Sequence, residues 1–264
     1  MRRYFSFCGY LIFFTVLAAA FLLGPAQSCA ADNPNKWQWE VTPYYWPADI
    51  SGDVGVRGVT LPVNVDFSDI KDHLDTGILL NTITTRPNNN WGYIFDLFYL
   101  KLSGDKTFPA ATVSADSKTW VVEFSAMYSP KTESEVKSLQ AAGKRIGRSA
   151  FYGGLRYVAW KNELDLSTGQ SGSADEGWVE PMVGYLTGIP LAGKLNVVLR
   201  GDIGGFGVGK SDFTWDGFID FRYQFSKSRW VNAGYRWLGI DTLDNGEGGD
   251  LTFKGPLIGI TSKF

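Results

Sequence analysis

The apolar residues of this chain recur with a period of two, and this constrains the fold more than any other feature of the sequence. In the stretch DFTWDGFIDFRYQF, apolar side chains alternate from Phe213 to Phe225, interrupted at Gly217, and the positions between them are mostly polar. Successive side chains of a β-strand point to opposite faces of the sheet. The pattern therefore predicts strands with one apolar face and one polar face.

The same alternation recurs in WGYIFDLFYLKL, in TWVVEFSAMY and in LNVVLRGDIG, with Asp96, Glu123, Arg200 and Asp202 on the face opposite most of the apolar residues. Two architectures satisfy it. A soluble β-sandwich turns its apolar faces inward, and a membrane-spanning barrel turns them outward toward lipid. No second long apolar run follows the N-terminal one, so the composition argues against a helical membrane protein.

The two ends of the chain favour the barrel. The N-terminus has two arginines, an apolar run from Tyr10 to Leu23 and small residues up to Ala31, which is the order of a secretory signal peptide. We expect residues 1–31 to be removed, with both cysteines (Cys8 and Cys29), and residues 32–264 to form one domain. The other end, GPLIGITSKF, is an alternating strand that finishes on Phe264. Aromatic residues also flank the apolar runs, as in interfacial girdles.

The sequence thus predicts an all-β fold, an antiparallel up-and-down transmembrane β-barrel of about ten strands, with eight or twelve as alternatives. The predicted strands are 37–48, 75–87, 91–104, 117–129, 149–163, 177–189, 194–206, 212–226, 229–241 and 250–264. Short connections alternate with longer ones, which are expected to face outward. The segment 130–149 breaks this rule, because it is long but falls on the periplasmic side, and a short helix from Glu133 to Lys144 is one explanation.

Several segments, in order, carry a resemblance: VTPYYWPADISGDVGVRG, FDLFYLKLSGD, YGGLRY, RGDIGGFGVGKSDFTW, GYRWLGID and LTFKGPLIGITSKF. Together they resemble a family of uncharacterised outer-membrane β-barrel proteins, loosely related to the opacity-protein and outer-membrane-protein-A-like barrels. The resemblance implies a location in the outer membrane and a role for Phe264 as the signal for the barrel-assembly machinery. It implies no activity and no catalytic residue.

The polar faces predict a charged lumen. Strand parity turns six acidic residues and four arginines inward, which is close to charge balance. They are Asp96, Glu123, Arg156, Glu180, Arg200, Asp202, Asp216, Asp220, Arg222 and Arg236. The interior of a barrel this small is filled by its own side chains, so buried charges must pair or meet water. Crossed pairs of acids and arginines would plug the bore, whereas an open path lined by the same residues would make a narrow pore.

Three motifs suggest other chemistry. Gly204, Gly209, Lys210 and Ser211 match the phosphate-loop spelling, but a strand pattern follows where that motif requires a helix. His73 is the single histidine and lies near Asp69, Asp72 and Asp75, so a barrel hydrolase is conceivable, although a solvated surface is the favoured interpretation. The acidic stretch 241–250 departs from the order of a calcium loop, which favours a solvated turn.

The sequence therefore predicts a non-enzymatic outer-membrane barrel with a structural or surface-interaction role and a largely plugged lumen. The alternatives are a narrow pore for ions or small solutes and, third, a lipid- or peptide-modifying enzyme that uses His73. Removal of residues 1–31 takes two of the 25 Lys and Arg and none of the 27 Asp and Glu, which leaves a net charge of about −4 and predicts no nucleic-acid partner. The expected partners are outer-membrane lipid, lipopolysaccharide and the assembly machinery, with no nucleotide, cofactor or metal.

Overall fold

The fold was obtained as a computed structural model, which describes residues 35–56, 59–107, 112–168, 171–242 and 248–264. The predicted signal peptide lies outside these residues. The strands are β1 (Gln38–Tyr45), β2 (Asp49–Val56), β3 (Val59–Val65), β4 (Leu74–Thr85), β5 (Trp91–Thr107), β6 (Thr112–Tyr128), β7 (Ser149–Leu166), β8 (Ser171–Ala192), β9 (Leu195–Val208), β10 (Ser211–Ser226), β11 (Arg229–Asp241) and β12 (Gly248–Lys263). The helices are α1 (Phe67–His73) and α2 (Glu133–Ala141).

Ten strands close into one antiparallel barrel, which confirms the predicted fold class and strand number. Strand β1 pairs with β4, strands β4 to β12 pair in sequence order, and β12 pairs back with β1. The two ends of the chain meet where Trp39 and Phe264 exchange backbone hydrogen bonds of 3.1 and 2.9 Å. Closure leaves the wall without the two free edges of an open sheet. The end of the barrel where Trp39 and Phe264 meet is the periplasmic end.

The outer surface of the barrel is apolar and aromatic. Side chains such as Trp91, Phe124, Phe151, Leu155 and Ile258 are 55% to 61% exposed. They occupy the alternating apolar positions of the sequence, so the barrel turns its apolar face outward and its charged face inward. This is the arrangement of a barrel in lipid, and it excludes the soluble sandwich.

Strands β2 and β3 differ from the prediction of a single first strand over 37–48. After Trp46–Ala48 the chain resumes as β2, pairs with the outer half of β12 from Lys254 to Gly248, and folds back as β3. Because β12 is twice as long as β1, its outer half would otherwise present an unpaired edge. Strand β2 covers that edge, and β3 pairs with the other side of β2.

Helix α2 explains the long connection on the periplasmic side. It begins with a capping box between Thr132 and Glu135, and it lies against elements that are distant in sequence. The hydroxyl of Ser134 bonds Asn88 in the β4–β5 turn at 2.6 Å, and Glu133 accepts from Lys263 of β12 at 2.9 Å. Helix α2 therefore reaches from β6 across to the strands on the far side of β4. None of the described helices is long and apolar enough to cross a membrane.

The attachment of α2 is expected to weaken in acid. Burial of Glu133 raises its pKa, but the charges of Lys263 and Lys137 outweigh this effect and hold the pKa of Glu133 below its usual value. The stabilisation that Glu133 gives to the attachment of α2 is therefore complete above the unfolded-state pKa of about 4.3. It is lost as the pH falls through the lower folded-state pKa. At neutral pH, Glu133→Gln should speed proteolysis within 130–148 about fivefold, since a charged hydrogen bond is lost.

The control for this experiment is Glu176→Gln, which removes a surface pair with Lys210 at the other end of the barrel. It should leave cleavage of 130–148 unchanged at every pH. If the wild-type protein and Glu133→Gln showed the same acid dependence of cleavage, the Glu133 contacts would not hold the helix.

Candidate functional site: a charged layer inside the barrel

The interior of the barrel is filled in three layers. The outer layer is apolar and includes Trp46, Phe98, Trp178 and Phe253, and a second apolar layer toward the periplasm includes Met127. Between them lies a layer of charged side chains, which we call the charged layer. Its members are Asp96, Glu123, Arg156, Glu180, Arg200, Asp202, Asp216 and Arg236, each at most 5% exposed.

Arg156 of β7 is bonded to four other strands. Its Nε donates to Glu123 of β6 at 2.8 Å, and its Nη1 donates to Thr214 of β10 at 2.9 Å and lies 3.4 Å from Glu180 of β8. Its Nη2 forms a short hydrogen bond with Asp202 of β9. Strands β6 and β10 are not neighbours of each other, so this side chain ties one side of the wall together through the interior.

Arg200 of β9 and Arg236 of β11 extend the network across the barrel. Arg200 forms a short bond with Glu123, and its Nε donates to the hydroxyl of Tyr152 at 2.9 Å. Arg236 donates from Nε to Asp216 at 2.9 Å and from Nη1 to Asp96 at 3.2 Å. The charged layer is one connected network, since Asp96 also lies 3.9 Å from Nη1 of Arg200.

Neutral donors offset the excess of acids in this layer, which has five carboxylates and three guanidinium groups. Asn81 donates to Asp96 at 3.0 Å, Trp178 donates to Glu180 at 2.9 Å, and Tyr152 donates to Asp202 at 2.7 Å. A further short bond joins Arg236 to the hydroxyl of Tyr44, which itself donates to Asp96 at 3.1 Å. Buried charges cost several kcal/mol each unless such partners are present.

A second polar group lies closer to the periplasm. Arg222 donates to Asp220 at 2.7 Å and lies 3.5 Å from Glu40, and Asn232 donates to Asp220 at 3.2 Å. Beside them is a cavity of about 20 Å³, which has room for about one water molecule. Oδ1 of Asp220 and Oδ1 of Asn232 have no hydrogen-bond partner among the described residues. Both residues line this cavity.

The ten residues that the sequence placed in the lumen thus separate into two groups. Eight form the charged layer, and Asp220 and Arg222 form the lower group. The neutral partners Tyr44, Asn81, Tyr152, Trp178 and Thr214 were not singled out from the sequence. Parity places each of them on the inward face, but an uncharged side chain on that face does not stand out from the rest of a strand.

The stretch from Arg200 to Trp215 forms the end of β9, a turn and the start of β10. Ser211 begins a strand of 16 residues rather than a helix, which excludes a phosphate loop. Gly205, Gly207 and Gly209 have φ angles of 85°, 71° and 70°, a region that favours glycine. These glycines serve the turn at the rim.

His73 ends α1 at the outer end of the barrel. Its Nδ1 lies 2.9 Å from the backbone oxygen of Asp69, while Asp75 accepts from Ser103 and pairs with Lys101 at 2.9 Å. Among the hydrogen bonds of the described side chains, none joins His73 to a carboxylate or a serine. The described residues also contain no group of three or more metal-ligating side chains. Part of the acidic stretch 241–250, residues 243–247, lies outside the described residues.

Comparison with known proteins supports the architecture. No protein-family model matches the chain, and no curated protein sequence matches it. Among solved structures, the translocator domain of the autotransporter NalP from Neisseria meningitidis is 14% identical, covers 95% of this chain and 98% of its own, and gives a TM-score of 0.50. The outer membrane protease OmpT from Escherichia coli is 8% identical over 88% of this chain and 98% of its own, with a TM-score of 0.47. At these identities the likeness concerns the fold alone.

Proposed function

The chain is an outer-membrane β-barrel, and we propose that it is a non-enzymatic one, with a closed lumen and a structural or surface-contact role. The observation that carries the proposal is the filling of the bore by the bonded charged layer and by the outer apolar layer that covers it. An ion that entered would have to displace buried pairs and then cross an apolar layer. Conduction requires instead a continuous path of water or polar groups.

The outer apolar layer is the strongest barrier in this arrangement. Trp46 and Phe98 pack edge to face with ring centroids 5.6 Å apart, and Phe98 packs on Phe253 at 6.4 Å. The guanidinium carbon of Arg236 lies 5.1 Å from the centroid of the Trp46 ring, so the aromatic layer rests directly on the charged layer. The outer apolar layer and the charged layer are therefore in direct contact.

The surface-contact role is supported by the length of the strands. Strands β5 to β8 have 17 to 22 residues each, whereas about 9–11 residues cross a membrane. The surplus lies at the outer end and extends the wall beyond the lipid. A four-stranded extension of this kind presents a surface to molecules outside the cell.

The test is single-channel recording of the purified protein in a planar bilayer. The wild-type protein is expected to give no stable conductance steps. A variant with Trp46→Ala, Phe98→Ala and Phe253→Ala removes most of the outer aromatic layer but leaves the charged layer in place, so it should also give no stable steps.

Stable steps from the wild-type protein would contradict the closed lumen and favour the narrow pore. One observation gives that alternative its basis: a polar path runs inward from Lys263 and Glu40 to Arg222 and the small cavity, and Arg222 keeps 11% of its side chain exposed. In the proposed state this path ends at the charged layer. Hydrolysis of lipid or peptide that disappears in His73→Ala would contradict the non-enzymatic role.

A further inference from the structure

We infer that the outer wall carries a binding site for the phosphate groups of outer-leaflet lipid, formed by three lysines on neighbouring strands. Lys101 of β5 lies directly opposite Lys118 of β6, and Lys118 lies directly opposite Lys161 of β7. All three share the outward parity of Tyr99 and Trp120. We call them the lysine row.

The lysine row lies at the level of the outer headgroups. Ten residues of β5 separate it from Trp91 at the periplasmic end. With a rise of about 3.3 Å per residue and a strand tilt of about 40°, they span about 25 Å, which is the height of the apolar band in such barrels. The ring centroids of Tyr99 and Trp120 lie 4.0 Å apart. Both residues occupy the next position on the same face toward the periplasm, where an interfacial girdle of aromatic side chains is expected.

The row is incompletely neutralised within the protein. Like charges directly opposite each other destabilise a sheet, because the side chains stand only about 5 Å apart. Lys101 pairs with Asp75 at 2.9 Å and Lys161 with Glu163 at 2.7 Å, at the two ends of the row. No described acidic side chain forms an ion pair with Lys118, which lies between them.

The acidic side chains around the row lie at its ends and beyond it. Asp175 of β8 is the register partner of Lys161, and Asp116 and Glu163 are register partners at the next outward position on the same face. Lys118, at the centre of the row, is therefore flanked at its own level by a lysine on each side. Each ammonium group has three hydrogen-bond donors. Lys101 and Lys161 therefore keep donors free for a phosphate bound at Lys118 between them. The ligand is therefore the anionic phosphate group of a lipid whose headgroup lies at the level of the lysine row.

This site depends on the outer-membrane location and not on the closed lumen, so its failure would leave the conductance result unaffected. The experiment titrates the detergent-solubilised protein with purified lipopolysaccharide and follows tryptophan fluorescence. Lys118→Gln should weaken binding about fivefold, and the variant with all three lysines changed to Gln about a hundredfold. Binding to the wild-type protein should also weaken as salt is raised.

The matched control is Lys254→Gln. Lys254 is an exposed lysine of β12, ten residues from Phe264 and so at a similar height, but its register partners are Trp237 and Asp49. This variant should bind within twofold of the wild type. The mobility of unboiled protein on gels reports whether each variant is folded, and Lys118→Gln alone carries the test if the triple variant is not.

Two further arms identify the source of the phosphate. Lipopolysaccharide stripped of phosphate should bind the wild-type protein as weakly as intact lipopolysaccharide binds the triple variant. Equal binding of stripped and intact lipid, or equal losses in Lys118→Gln and Lys254→Gln, would overturn the inference. If inorganic phosphate alone bound as tightly as the lipid and displaced it, the ligand would be free phosphate and the lipid assignment would be wrong.

Discussion

Replacement of Arg156 by methionine is expected to lower the free energy of unfolding by about 3–5 kcal/mol, because it leaves buried carboxylates without their counter-charge. Glu123, Glu180 and Asp202 all lose a partner in this variant, and none of them is more than 5% exposed. The measurement is a urea titration of protein folded in phospholipid vesicles, followed by tryptophan fluorescence.

Two further variants locate the cause. Within the described residues Arg156 is the one cation that pairs with Glu180, so adding Glu180→Gln to Arg156→Met should restore part of the lost stability. The control Lys210→Met breaks an exposed pair with Glu176 and should cost about 1 kcal/mol or less. If Arg156→Met proved no more destabilising than Lys210→Met, the charged layer would not be held together by Arg156.

Gly154→Val should prevent the barrel from closing correctly. Gly154 lies on the inward face of β7, two residues from Arg156, and a Cβ there would stand 2.0 Å from the backbone oxygen of Phe124 and 2.5 Å from Oγ of Ser125. A backbone atom cannot move aside without breaking the β6–β7 pairing. We expect a cost of about 3 kcal/mol or more, seen as loss of the faster-migrating folded band on unboiled gels.

The neighbouring glycine provides the control. A Cβ at Gly153 points outward, and its nearest contact is 3.6 Å, at the backbone oxygen of Met182. Gly153→Val therefore adds a side chain at ordinary contact distance and should fold like the wild type. Equal folding of the two valine variants would show that the space at Gly154 is not limiting.

Much of this architecture follows from local pattern. The alternation in β10 sends Phe213, Trp215 and Phe221 outward and Asp216 and Asp220 inward, because strand side chains alternate strictly. The same rule identified the inward arginines of β7, β9 and β11. The predicted number of about ten strands agrees with the barrel, while the pattern alone left eight and twelve open.

The pairing of the β2–β3 hairpin with β12 and the docking of α2 did not follow from pattern. Alternation in VRGVTLPVNVDF indicates a strand, β3, whose partner β2 is adjacent in sequence, but it does not indicate that β2 pairs with the outer half of β12, about 200 residues away. Likewise, the sequence from Glu133 onward suggests a helix, while its contact with Lys263 exists only because the barrel brings the end of the chain beside it.

Strand parity alone specifies which side chains face the lumen, so this part of the site could be predicted from the residues. Which charges pair with one another depends on the three-dimensional fold. Arg156 reaches Asp202 two strands away, and Arg236 reaches Asp96 across the seam where β12 joins β1. These partners depend on the register between strands and on closure of the wall, which set the relative heights of residues far apart in the chain. The register between strands and the closure of the wall therefore also determine whether a charged bore is closed by its own ion pairs.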